Sequence, residues 1–198
     1  MKKYIAEAIG TGTLALTVAL SLSGTFPIPT PFLAALVLGL FVYSVGHISG
    51  AHINPAVTIG VWSLGKIKTR EAFYYIIAQL IGVILAGLGM TIADKGISLA
   101  ITPAVGNSLH VLIAEAVGTL IFTFGIASVI YGKVHNAAGG IVIGGSLLLG
   151  IALSVFFGAD GILNPAVAFT IGSFNLMYIL GPIIGSLIGM NVYKYLQG

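Results

Sequence analysis

The sequence predicts an all-α membrane protein with six transmembrane helices, two re-entrant half-helices and an inverted internal repeat. Three observations predict it. Hydrophobic residues make up 58% of the chain against 7% charged, with a mean hydropathy of +1.11. A soluble domain carries about a quarter charged residues, so this chain has too few to cover a surface facing water, and its solvent is lipid. Six apolar stretches are long enough to cross a bilayer, and short motifs recur in order in the two halves of the chain.

A span needs about 20 apolar residues. The six stretches lie at about 4–23, 32–49, 72–93, 109–131, 138–158 and 176–195. The first follows Lys2 and Lys3, as a signal peptide would, but its length is that of a span. Two further apolar pieces, about 54–64 and 164–173, are too short to cross, follow Gly-bearing loops and begin Asn-Pro-Ala. Such pieces suit half-helices, whose irregular flanking backbone is tolerated at membrane depth where it lines an aqueous cavity.

Ile5-Ala6-Glu7-Ala8-Ile9-Gly10-Thr11 returns as Ile113-Ala114-Glu115-Ala116-Val117-Gly118-Thr119, and Asn54-Pro55-Ala56-Val57 as Asn164-Pro165-Ala166-Val167. Ala78-Gln79-Leu80-Ile81-Gly82 is echoed more weakly by Gly181-Pro182-Ile183-Ile184-Gly185. The order and near-constant offsets mark a duplicated unit, giving one domain over 1–198 with halves of about 1–100 and 108–198. Three spans per unit is an odd number, so the second unit enters from the opposite side. Basic residues agree. With a cytoplasmic N-terminus the inside receives Lys2, Lys3, Lys66, Lys68, Arg70, Lys133 and Lys194, and the outside only Lys95, as the positive-inside rule requires. Both termini are then cytoplasmic. The net charge of +3 rests on these few groups and reads as orientation, not as a nucleic-acid surface. The absence of cysteine excludes disulfides and thiolate metal sites.

The chemistry centres on Asn-Pro-Ala. Asn caps a helix by accepting from a free backbone N–H, and Pro fits the first turn, where its missing N–H is no loss. Capping through oxygen leaves the amide NH₂ to donate. Two such half-helices entering from opposite faces bring Asn54 and Asn164 together at mid-membrane. Each helix N-terminus carries roughly half a positive charge, so the pair donates to a passing oxygen and repels cations. One Asn-Pro-Ala often only starts a helix; two at matched positions of an inverted repeat are specific.

At these residues the chain resembles the major intrinsic protein family, the aquaporins and aquaglyceroporins. Val45-Gly46-His47-Ile48-Ser49-Gly50-Ala51-His52-Ile53-Asn54-Pro55-Ala56-Val57-Thr58 is similar to the family's first-half signature, and Glu7 and Glu115 stand where the family places a buried glutamate. The resemblance spans essentially the whole chain. It implies an aquaporin-like fold in a homotetramer with one pore per subunit, passive conduction without a cofactor, and residence in the cell membrane. The second half departs from the pattern of an ordinary member, marking an atypical prokaryotic-type chain. Arginine usually follows the second Asn-Pro-Ala and lines the outer constriction; here Val167 follows, and the only arginine, Arg70, lies in a predicted cytoplasmic loop. Spacing from the motifs puts the other constriction positions near Ala34, Ala152 and Gly161, which predicts a wide, apolar outer opening.

Glu7 and Glu115 are ionisable groups inside spans and so functional candidates. The resemblance favours a structural part instead, as acceptors for the backbone leading into each half-helix. His47 and His52 have no carboxylate or cysteine beside them in sequence to complete a metal site, and are expected as buried, hydrogen-bonded structural groups near the inner mouth. His110 and His135 fall at span ends. Asp160 either braces the second loop or stands as an acid at the outer mouth. Phe156 and Phe157 are expected as interfacial anchors, the alternative being to narrow that mouth. Gly140-x-x-x-Gly144 and Gly185-x-x-x-Gly189 read as close-packing faces.

Nothing in the chain supports an enzyme: there is no nucleophile–base pair, metal cluster or phosphate loop. The reading is a passive channel for water or small neutral solutes of glycerol or urea size. A secondary transporter also uses inverted repeats and broken helices, but offers more coupling groups than two glutamates. A non-conducting junctional protein is the third possibility.

Overall fold

In the computed structural model, residues 1–22, 24, 27–92 and 107–198 are described. The helices are α1 (Lys2–Leu22), α2 (Thr30–Ser49), α3 (Pro55–Ser63), α4 (Thr69–Ile92), α5 (Leu109–Ile130), α6 (Gly139–Phe156), α7 (Pro165–Thr170) and α8 (Leu176–Gln197), with a 3₁₀ turn over Asn136–Ala138 before α6. Among the described residues six helices are long and apolar enough to cross a membrane. The two half-helices, α3 and α7, are too short. Lys95, the one cation expected outside, lies beyond the described residues.

Helix α1 packs on α4 and α2, and α5 on α8 and α6, so each half repeats one three-helix arrangement. The close approach depends on glycine. A Cβ on Gly82 of α4 would collide with the Ala8 carbonyl oxygen of α1, and one on Gly185 of α8 with that of Ala116 on α5. Ala8 and Ala116 are equivalent in the repeat, so both crossings use the same contact. Gly144 likewise meets the Ala35 carbonyl oxygen, where a Cβ would sit 2.7 Å away, and Gly189 meets that of Leu120. These backbone-to-backbone contacts are the packing faces expected from the glycine spacing.

The basic residues gather at one end. Lys3 at the start of α1 pairs with Glu71 at the start of α4. Lys66 lies 4.9 Å from the centre of the Tyr131 ring, just past α5. Asn191, near Lys194 in α8, donates through Nδ2 to Ser63 Oγ at 2.8 Å. Half-helix α3 runs from mid-bundle towards this end and α7 towards the other.

Candidate functional site: the paired half-helices and their cavity

Each half-helix starts as its sequence dictates. Asn54 (φ −161°, ψ 123°) caps α3 by accepting at Oδ1 from the Ala56 N–H at 2.8 Å. Asn164 (φ −147°, ψ 106°) caps α7 by accepting from Ala166 at 3.0 Å and Val167 at 3.5 Å. The two caps are then tied together. Asn54 Nδ2 donates to the Leu163 carbonyl at 2.8 Å, and Asn164 Nδ2 donates to the Ile53 carbonyl at 3.1 Å. Each amide has two N–H groups, so this reciprocal tie takes one and leaves one per asparagine. Sequence reasoning had left both for the pore.

The carbonyls that accept belong to residues in an unusual conformation. Ile53 has φ 39° and Leu163 φ 53°, the left-handed region that bulky side chains avoid at a cost of about 1–3 kcal/mol. Buried carboxylates hold them there. Glu7 accepts from His52 N–H at 2.9 Å and Ile53 N–H at 2.7 Å. Glu115 accepts from Ile162 N–H at 3.0 Å and Leu163 N–H at 2.7 Å. Both glutamates are fully buried. Gly10 and Gly118, three residues after them, make room: a Cβ on either would clash with the Ile53 or Leu163 side chain.

Further partners went unseen in the sequence. Ser49 Oγ donates to Glu7 at 2.7 Å and Gln79 Nε2 at 2.8 Å, while Ser154 Oγ donates to Glu115 at 3.0 Å. Tyr75 hydroxyl donates to the Ser49 carbonyl at 2.8 Å, and Tyr178 hydroxyl accepts from Asp160 N–H at 3.2 Å. A signal existed for the tyrosines: the 103-residue offset between Gln79 and Pro182 also relates Tyr75 to Tyr178.

His52 is buried, with Nδ1 3.2 Å from Thr58 Oγ1 and its ring 4.9 Å from that of Tyr75. His47 corrects the expectation of a buried pair: it is exposed in the last turn of α2, on the opposite side of Gly50 from the packed loop. No metal-binding group of His, Cys, Asp or Glu occurs among the described residues.

A cavity of about 520 Å³ opens beside the asparagines and extends away from the basic end. Asn54, Asn164 and His52 lie at its base; Thr30, Asp160 and Ser173 are its polar residues towards the rim. Ala34, Gly161 and Val167 line it as expected, but Ala152 does not. Ala152 is exposed on the outside of α6, and the lumen stripe is Leu147, Ile151 and Val155 at four-residue spacing. The helical phase therefore differs by one residue from the spacing estimate, and larger aliphatic groups take the place of an alanine. Phe156 and Phe157 also point outward, 82% and 43% exposed, and do not narrow the cavity. Asp160 combines both expected parts, since its backbone is braced by Tyr178 and the residue lies on the cavity wall.

The description "Major intrinsic protein" fits residues 1–193. Aquaporin AqpM of Methanothermobacter marburgensis is 32% identical over 239 aligned positions, covering 98% of this chain and 97% of its own length. The chain belongs to the major intrinsic protein family. Nodulin-26 of Glycine max, another family relative, is 33% identical, with 100% of this chain and 78% of that protein covered. The aquaglyceroporin structure from Plasmodium falciparum shares the fold, with a TM-score of 0.66 at 22% identity over 98% of this chain and 93% of its own. The protein is thus a multi-pass membrane channel for water and small solutes, and not an enzyme.

Proposed function

We propose that the permeation path runs past the free N–H groups of Asn54 and Asn164 and out through the apolar cavity beyond them. The observation that carries this reading is the reciprocal amide tie, which fixes two donors side by side at the base of that cavity. Both half-helix N-termini converge there, so the site favours an oxygen acceptor and opposes a cation. Val167, Ala34 and Gly161 supply no charge at the outer constriction, which is wide enough for glycerol- or urea-sized solutes. Glu7 and Glu115 act as braces, not as coupling groups. The chain assembles as a homotetramer in the cell membrane with both termini cytoplasmic, a reading supported by the basic residues gathered at one end.

Stopped-flow swelling of proteoliposomes with water, glycerol and urea side by side tests the proposal. Passive flux of all three above that of empty vesicles, unaffected by proton or sodium gradients, is the expected result. Solute flux that follows an ion gradient would return the protein to the transporter class.

A further inference from the structure

The cavity wall between rim and asparagines has an uneven chemistry. On α1 the lining residues are Leu14, Val18 and Leu22, and on α6 Leu147, Ile151 and Val155. Each stripe runs over eight residue-to-residue steps of helix, about 12 Å at 1.5 Å per step, without a polar side chain. Leu38 and Val167 extend the same surface between them. Among the described lining residues, polar side chains are confined to the two ends, with Asn54, Asn164 and His52 at the base and Thr30, Asp160 and Ser173 towards the rim.

We propose that this channel favours small neutral solutes with a hydrocarbon body and a compact polar head, such as short carboxamides and 1,2-diols, over polyols and urea of equal size. The inference rests on the channel reading and adds a solute class to it. The polar head meets donors and acceptors at the rim and again at the asparagines. Between them a methyl or methylene group lies against leucine, isoleucine and valine, while a further hydroxyl meets no partner on either stripe. A cavity of about 520 Å³ holds a solute with water beside it, so a polyol keeps part of its hydration and is not blocked. The discrimination comes from the wall's attraction for hydrocarbon. Burying one CH₂ against such a wall favours a solute by about fourfold. As a primary carboxamide passes, its NH₂ first donates to acceptors at the rim, its alkyl group then lies against the wall, and its carbonyl afterwards accepts from the free Asn N–H groups at the base.

The test is stopped-flow light scattering on vesicles of phosphatidylcholine and phosphatidylglycerol, with and without the full-length protein. Empty-vesicle rates are subtracted for each solute. Two matched pairs are compared, glycerol with 1,2-propanediol and urea with acetamide. In the wild type the less polar member of each pair should show about fourfold higher channel-mediated permeability. The isosteric double variant Val155→Thr/Val167→Thr places hydroxyls on the wall without changing its volume. Its ratios should fall towards one, while water still crosses faster than in empty vesicles. Should the double variant fail to reconstitute, Val155→Thr alone gives the same readout, because its side chain is half-exposed and already faces open space. Equal permeabilities within both wild-type pairs, or ratios untouched by the hydroxyls, would overturn the inference while the channel reading stood. Absence of any water or solute flux above empty vesicles would remove the channel reading and this inference with it.

Discussion

The two halves of the chain build the same backbone with unequal polar inventories. In the first half Glu7 has four donors: the His52 and Ile53 N–H groups, Ser49 Oγ and Gln79 Nε2. Gln79 also donates to Thr58 Oγ1 at 2.9 Å, and that hydroxyl lies 3.2 Å from His52, so one network joins four helices and a lumen residue. In the second half Pro182 stands for Gln79, Ala168 for Thr58 and Ile162 for His52, and Glu115 has three donors. What both halves retain is the carboxylate, two backbone donors, one serine hydroxyl donor, the glycine three residues on and the buried tyrosine. Those suffice to fold a half-helix back into the membrane. The polar surplus around His52 is additional to that requirement, and the second half adds no counterpart to it.

Removing a carboxylate breaks the shared minimum and should have the largest effect. Each buried donor left unpaired costs about 1–3 kcal/mol. Glu7→Ala orphans four and Glu115→Ala three, so both variants should lose thermal stability or assembly, Glu7→Ala the more. Thermal unfolding in detergent with size-exclusion chromatography measures this. An assembled Glu115→Ala protein with wild-type stability would show that the left-handed Leu163 needs no brace.

Asn54→Asp attacks the tie between the halves. The carboxylate still caps α3 but faces the Leu163 carbonyl with oxygen in place of a donor, and it places negative charge where two helix N-termini oppose cations. Lower stability and a measurable cation conductance are expected in planar bilayers. Unchanged flux with unchanged cation exclusion would remove the asparagine pair from the conduction site.

Gln79→Ala is the intermediate case, because it deletes the surplus and spares the minimum. It leaves one acceptor position open on each of Glu7 and Thr58, and carboxylates retain stability with fewer donors more readily than donors do without a carboxylate. A loss of about 1–3 kcal/mol is expected, smaller than that of Glu7→Ala, with conduction preserved. Equal loss in the two variants would place Gln79 within the essential brace.

The inequality of the halves explains what could be read in advance. Spans were legible because lipid demands long apolar runs, and the half-helices because Asn-Pro-Ala recurs at matched positions. Observed helix ends differ from the expected ones by a few residues, since frayed turns such as Asn136–Ala138 carry no hydropathy signal. The glutamates were found because a carboxylate inside a span is conspicuous. Ser49, Gln79 and Ser154 were not, because neutral polar residues are common in membrane helices and their partners lie 39 to 72 residues away. Ala152 was misplaced because the loop between motif and helix does not fix helical phase, which was set only once Leu147, Ile151 and Val155 faced the lumen. His47 failed for a similar reason: the signature around it carries no information on which side of α2 packs.

The smallest effect on the fold, and the sharpest on selectivity, belongs to Val167→Arg. Val57 and Val167 follow the two Asn-Pro-Ala motifs at equivalent positions, yet only Val167 borders the cavity. Both are almost fully buried, at 2% and 4% exposure, but the space beside Val167 is open and about 520 Å³ in volume. A guanidinium at 167 can extend into that space, towards Asp160 and the rim, and remain hydrated. At 57 it would be driven into packed helix, where an unpaired charge is strongly destabilising. Val167→Arg should therefore fold and assemble, while Val57→Arg should not. In the folded variant the arginine fills part of the lumen and adds five donors and a fixed positive charge. Glycerol and urea permeability should drop severalfold, water permeability by less, and any proton leak should decline with it. Proteoliposome swelling and a pH-sensitive dye inside the vesicles read all three. Equal reduction of water and solute flux would mean that the arginine plugs the pore instead of narrowing it. Unchanged fluxes would mean that the narrowest point lies elsewhere, and the assignment of Val167 to the outer constriction would be withdrawn.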